Sequence, residues 1–332
     1  MTVHLISVGV SVLEAMKHPD PDRIDRDLSQ ACHDTQAFST LTFDFTDSER
    51  EAASRWVAEA LPESGKPARV GQLRDIAADL DIGRWPPRIS AEIETFRYAP
   101  GGRAFPLRED DIAILICSDT ARGLLAGVWN ALGLVSGDFS RVVYLPEPDK
   151  GIGNVRGKAV IARVKDMDAA SSQQFRGAMR RLGALARGLL ASRCLTADDD
   201  FLFYLSGGFK AAIPYLIGMA EATRSLDKTR LSELGVAGLL PESGVFPVRA
   251  FVMHEMSDPP VPIELPLRRL ITTAIRRELA GFTGGICRGT LESTLLEGYA
   301  YEPVPGGDGY QLTPFGEGLE MLFSRPAESH GG

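Results

Sequence analysis

The stretch Phe201-Leu202-Phe203-Tyr204-Leu205-Ser206-Gly207-Gly208-Phe209-Lys210 constrains this chain more than any other. Five consecutive apolar or aromatic residues suit a strand buried on both faces. Ser-Gly-Gly interrupts the run, because glycine accepts backbone angles that a side chain forbids. Ala211 to Ala220 then reads as a helix, with Pro214 tolerated in its first turn, where no intrahelical N–H bond is lost. The pattern predicts a strand, a glycine turn and a helix N-terminus with one ammonium beside it. Free N–H groups, a positive dipole end and Lys210 together suit an anion, phosphate above all. A plain strand–helix connection with a solvated Lys210 satisfies the same residues.

The N-terminus repeats the plan. Val3 to Val8 is a buried strand, Gly9-Val10-Ser11 a turn and Val12 to Met16 a helix. Ser11 is placed either to cap that helix or to donate to a ligand phosphate. Asp111 to Ile116 is the clearest central strand, followed by Cys117-Ser118-Asp119-Thr120 and an apolar helix through Leu124, Leu125, Val128, Trp129 and Leu132. Ser118, Asp119 and Thr120 fall at a strand's carboxyl end, where open parallel sheets bind ligands, although Asp119 or Thr120 serves equally as an N-cap. Further strands are expected at 141–145, 158–164 and 248–253, with an extended, proline-rich run from Pro259 to Pro266. Helices are expected at 48–61, 70–80 and 88–96, the last being amphipathic and packed on the sheet. Phe175, Met179, Leu182, Leu185 and Leu189 make one apolar helical face, flanked by Arg176, Arg180, Arg181 and Arg187, read as solvated.

Three segments, Val-Gly-Val-Ser at 8–11, Ser-Asp-Thr at 118–120 and Ser-Gly-Gly-Phe-Lys-Ala-Ala-Ile-Pro-Tyr at 206–215, resemble the CARF domains, the CRISPR-associated Rossmann-like sensors of cyclic oligoadenylates. Ser90-Ala91-Glu92-Ile93 resembles a helix of the same branch. The resemblance spans roughly residues 3 to 266. It implies a doubly wound, mostly parallel α/β domain over 1–266 that forms a two-fold homodimer with the ligand on the axis. A ring of even size matches that symmetry, and cyclic tetra-adenylate is favoured. The implied ligand-binding residues are Gly9, Val10, Ser11, Ser118, Asp119, Thr120, Ser206, Gly207, Gly208, Phe209 and Lys210. Some members cleave their own ring without metal. Here that role falls to Lys210, stabilising the phosphorane charge, and to Ser11, positioning a phosphate oxygen or the attacking 2′-hydroxyl. No cofactor and no metal are implied. The setting the resemblance implies is type III CRISPR immunity, in the cytoplasm.

Other chemistries find little support. Gly151 to Gly157 has the spacing G-x-G-x-x-x-G ahead of a strand rather than after one, so it reads as a loop and not a dinucleotide fingerprint. Neither a P-loop motif nor a G-x-S-x-G elbow occurs. Arginine and histidine at the loose spacing of the HEPN ribonucleases occur at Arg249–His254, in an expected strand, and at Arg325–His330, around Pro326; neither suits helical catalysis. His254 and Glu255 read as strand-end residues. A net charge of −8 argues against broad binding to nucleic-acid backbones. Cys32, Cys117, Cys194 and Cys287 show no metal or disulfide spacing. No signal peptide is apparent, and no apolar run approaches the ~20 residues of a membrane span.

Residues 267–332 read as a separate small module: a helix at 267–279, a loop, a second helix at 290–297, a hairpin about Pro305 to Gly309 and a final helix at 314–322. This order resembles part of a winged helix. The second helix holds two glutamates and no basic residue, which argues against DNA reading. Sensing, ring cleavage and ligand-controlled transcription are therefore the functions to be weighed.

Overall fold

Strand β1 (Thr2–Ser7) lies inside a seven-stranded sheet of order β3-β4-β2-β1-β5-β6-β7. β2 (Ile112–Ser118), β3 (Val142–Leu145), β4 (Ala159–Val164), β5 (Asp200–Tyr204) and β6 (Val248–His254) run parallel to it. β7 (Val261–Leu265) closes one edge antiparallel to β6. The computed structural model describes residues 1–17, 49–61, 90–98, 105–148, 152–168, 171–192, 195–208, 210–239, 241–254, 260–291 and 293–323. The helix expected at 70–80, residues Cys32 and Cys194, and the Arg325–His330 spacing lie outside them.

The apolar strands are continuous because each serves two cores. Alternate side chains of β1, β2, β4 and β5 (Leu5, Ile114, Ala162, Phe203) enter a core shared with α5 (Ser172–Ala191) and α6 (Ile213–Arg224). Their neighbours (Ile6, Leu115, Ile161, Leu202) enter a second core with α1 (Ser11–Lys17), α2 (Arg50–Ala60), α3 (Ala91–Tyr98) and α4 (Ala121–Leu134). Helices thus cover both faces, the doubly wound arrangement in which parallel strands are hidden from water.

The predicted arginines of α5 are not simply solvated. Arg176 pairs with Glu302, Arg180 with Glu317 and Glu320, and Arg181 with Asp166. The acidic partners of Arg176 and Arg180 lie in the C-terminal segment, where α9 (Pro314–Phe323) crosses α5. A Cβ on Gly183 would sit 2.2 Å from the carbonyl oxygen of Gly318, so the two backbones meet where neither has a side chain. Phe315, Leu319 and Leu322 of α9 enter the same core as Met179 and Leu216.

Two C-terminal expectations are corrected. After the short α7 (Lys228–Glu233), the helix expected at 267–279 is α8 (Thr272–Leu279), because the first part of that run is held by other bonds. The Arg268 amide donates to Glu221 and the Leu270 amide to Ser225 Oγ. The helix expected at 290–297 does not form among the described residues. Its place is taken by turns organised on Glu278, whose carboxylate accepts Ser293 Oγ–H, the Leu295 and Leu296 amides and the Tyr301 hydroxyl. A buried carboxylate with four donors outweighs a short run containing three β-hydroxy residues, which are weak helix formers. The predicted hairpin is present as β9 (Tyr301–Pro303) and β10 (Tyr310–Leu312), extended by β8 (Ile286–Cys287).

Candidate functional site

The turns after β1 and β5 meet at the carboxyl rim of the sheet. The chain runs from β1 to β2 on one side and later returns as β5 on the other, which makes β1 the switch point where such sheets open a crevice. The two turns touch through backbone. A Cβ on Gly9 would lie 2.6 Å from the Gly208 nitrogen, and Gly208 holds φ +92°, a left-handed value that favours glycine. Ser7 Oγ donates to the Gly207 carbonyl at 2.6 Å, tying the end of β1 to the second turn.

The contact is completed by Glu92 of α3. Its side chain is 2% exposed and reaches under both turns. Oε1 accepts the Gly9 amide at 2.6 Å and Oε2 accepts Ser11 Oγ–H at 2.8 Å, while the one proton of Ser90 Oγ is shared between Oε2 at 2.6 Å and Asn130 Oδ1 at 2.5 Å. A Cβ on Gly207 would come within 2.0 Å of Oε1, so that glycine makes room for the carboxylate. None of the described cations forms an ion pair with Glu92; its charge is held by hydrogen bonds alone, which a buried carboxylate needs. Ser11 also accepts the Ala91 amide at 3.3 Å. Its single proton therefore goes to Glu92.

Lys210 opens a single turn of 3₁₀ helix, Lys210–Ala212, that leads into α6. Its side chain is exposed, with no hydrogen bond or ion pair to another described residue. Ser206 sits deeper. Its Oγ accepts the Met253 amide and the Thr95 hydroxyl, each at 2.7 Å, so it ties β5 to β6 and α3. Val10 packs partly against the second core. Phe209 lies outside the described residues.

The Ser118-Asp119-Thr120 segment ends β2, the strand on the other side of β1. Thr120 is the N-cap of α4, its Oγ1 accepting the Gly123 amide at 3.0 Å and lying 3.0 Å from Ser118 Oγ. Asp119 is 3% exposed and accepts Arg50 Nη1 at 2.6 Å and the Asp166 amide at 3.1 Å, with Arg163 at 3.9 Å. Burial pushes its carboxyl above the usual range, against the pull of Arg50. Arg50 also meets Asp168, and the buried Arg163 meets Glu51, whose carboxyl the Arg163 hydrogen bonds and Lys165 hold at about 2.

A cleft of about 110 Å³ lies beyond this network, at the ends of β3 and β4, lined by Pro146, Glu147, Pro148, Arg163, Lys165 and Arg181. All three of its cations already have carboxylate partners. Of the residues expected to bind a ligand, Gly9, Ser11, Gly207 and Gly208 are brought together around one carboxylate, with Ser206 fastened just behind them. The Ser-Asp-Thr segment is engaged in capping and ion pairing. In the sequence Glu92 falls in the Ser90-Ala91-Glu92-Ile93 segment, noted for its resemblance to a family helix but read as amphipathic and packed on the sheet, and no local pattern marks a helical glutamate as buried beneath two loops.

Among the described residues no group of side chains could hold a metal ion, and no helix is long and apolar enough to cross a membrane. A scan against protein-family models and a search of curated proteins each found no match to this sequence.

Proposed function

We propose that this chain is a sensor of cyclic oligoadenylate, with cyclic tetra-adenylate the favoured ring, acting in type III CRISPR immunity as a homodimer. The observation that carries the reading is the meeting of the Gly9 and Gly208 turns at the switch point, with an exposed ammonium at Lys210 that pairs with no described residue. An exposed lysine on a flexible stem suits a ligand phosphate, and two-fold pairing would present two such lysines to a ring of even size. The three sequence segments that resemble CARF domains end β1, β2 and β5, three adjacent strands. Calorimetry with cyclic tetra-adenylate on wild type and Lys210→Ala tests the reading. Tight binding by the wild type and at least tenfold weaker binding by the variant is expected. Equal binding by both removes Lys210 from the site, and no binding by either removes the ligand.

A ring nuclease is the second reading, and the Ser11–Glu92 hydrogen bond favours it. The ribose 2′-hydroxyl would give its proton to water and attack the adjacent phosphorus, forming a 2′,3′-cyclic phosphate as the bond to the 5′-oxygen breaks and that oxygen takes a proton from water. Lys210 would stabilise the charge gathered on phosphorus. Chromatography of the ring after incubation separates sensor from nuclease, since a pure sensor returns it intact. Transcriptional control through the C-terminal segment has less support, because the helix expected to lie between α8 and the hairpin is replaced by turns. A gel-shift series in salt tests that reading.

A further inference from the structure

Glu92 occupies the place that an anion would take at the turn after β1. It accepts the Gly9 amide and the Ser11 hydroxyl, two of the donors that turn offers a phosphate. A ligand phosphate placed there would meet a buried negative charge with no paired cation among the described residues, an arrangement that electrostatics disfavours. The rim is therefore divided. Its positive group is Lys210, beyond the β5 turn, while the β1 turn carries a carboxylate and an oriented hydroxyl.

The orientation of that hydroxyl follows from its partners. A serine has one proton and two lone pairs. The Ser11 proton goes to Glu92 at 2.8 Å and one lone pair takes the Ala91 amide at 3.3 Å. The second lone pair remains, on a side chain that is partly exposed. Ser11 thus presents an acceptor to whatever lies above the rim.

We propose that Glu92 is a positioning residue that fixes Ser11 as a hydrogen-bond acceptor, so that the β1 turn reads a ribose 2′-hydroxyl of the ligand as a donor and leaves the phosphates to Lys210. The proposal rests on the oligoadenylate reading and adds to it a division of labour between the two turns. It also gives Glu92→Gln a particular consequence. Glutamine has one carbonyl oxygen, which the Gly9 amide requires. Its NH₂ group must then point at Ser11 and Ser90, so Ser11 becomes the acceptor and turns its own proton outward.

The test compares cyclic tetra-adenylate with its 2′-fluoro analogue, which is similar in size and lacks the hydroxyl proton. Wild type should bind the ribose ring about tenfold more tightly, the worth of one hydrogen bond to a charge-supported acceptor. In Glu92→Gln and in Ser11→Ala the two rings should bind within about twofold of each other, while Ser90→Ala should keep the preference. Should Glu92→Gln fail to fold, wild type and Ser11→Ala decide alone. Equal binding of both rings by wild type overturns the proposal and leaves the sensor reading intact, and so does a tenfold preference retained in either variant. Failure of wild type to bind either ring overturns both.

Discussion

Glu92 Oε1 accepts the amide of Gly9 at 2.6 Å and fills the space that a Cβ on Gly207 would need. One carboxylate therefore holds the turn after β1 and leans against the turn after β5. Gly207→Ala places a methyl 2.0 Å from that oxygen and 2.8 Å from the Ser7 carbonyl, so one of the two loops has to move. We expect a loss of about 1–3 kcal/mol in urea unfolding, as for other overpacked sites, together with weaker ring binding. Unchanged stability would show that the turns are free to part.

Lys210→Ala should behave in the opposite manner. The side chain is exposed and forms no hydrogen bond or ion pair to a described residue, so the melting temperature should stay within about 1 °C of wild type, in line with surface substitutions worth less than ~0.5 kcal/mol. Weakened ligand binding at unchanged Tm assigns the lysine to the ligand; a large fall in Tm would assign it to the fold.

Asp119 should prove structural. Asp119→Ala leaves Arg50 and the buried Arg163 short of a carboxylate, and a loss of about 2–4 kcal/mol is expected from breaking a buried ion pair, discounted for the partial exposure of Arg50. Denaturant unfolding measures the loss. Ring affinity of the folded fraction should change by less than about threefold, and a larger fall would return Asp119 to the binding site.

His4 makes stability depend on pH. It is fully buried, with Nδ1 2.9 Å from the Tyr204 hydroxyl and Nε2 3.8 Å from Asp111 and without a hydrogen bond. Burial lowers its pKa below the ordinary 6.5, against the pull of Asp111. The unfolded chain thus takes up the proton first as pH falls, so stability from this group is complete above pH 6.5 and declines below it. Thermal melts between pH 7.5 and 5 should show that slope, and His4→Gln should flatten it. An equal slope in the variant would place the effect elsewhere.

Glu278 anchors the C-terminal turns. Burial alone would raise its pKa, but the donors from Ser293, Tyr301 and the Leu296 and Leu295 amides outweigh it and hold the carboxyl below its ordinary 4.5. Its stabilisation is therefore present above pH 4.5 and lost as pH falls beneath it. Glu278→Gln should cost about 1–3 kcal/mol, because one amide group would face donors with a donor. Proteolysis between Gly289 and Gly298 should quicken in step, and an unaltered digestion rate would count against the anchoring role.

Much of the fold was legible in the sequence. Apolar runs such as 112–116 and 201–205 have no polar position to turn towards water, so they had to be central strands, and the α5 face followed from its 3.6-residue period. The predicted helix at 290–297 failed because Ser293 and the amides around it bond to Glu278, fifteen or more residues away in the chain, a competition that no local window contains. For the same reason the arginines of α5 looked solvated, although Arg180 faces Glu317 and Glu320 across the α5–α9 crossing.

The order of residues alone determined that parallel strands end in glycine or hydroxyl-bearing turns, and that Ser11 and Lys210 stand where such turns offer themselves to a ligand. Only the tertiary structure decided which of those turns meet. It brought the β1 and β5 turns into backbone contact, set Glu92 beneath them and gave Asp119 to Arg50 instead. The physical reason is the range of the forces. Strand and turn preferences act between near neighbours in the chain, whereas the partner of a buried charge is whatever the packing of distant elements sets beside it.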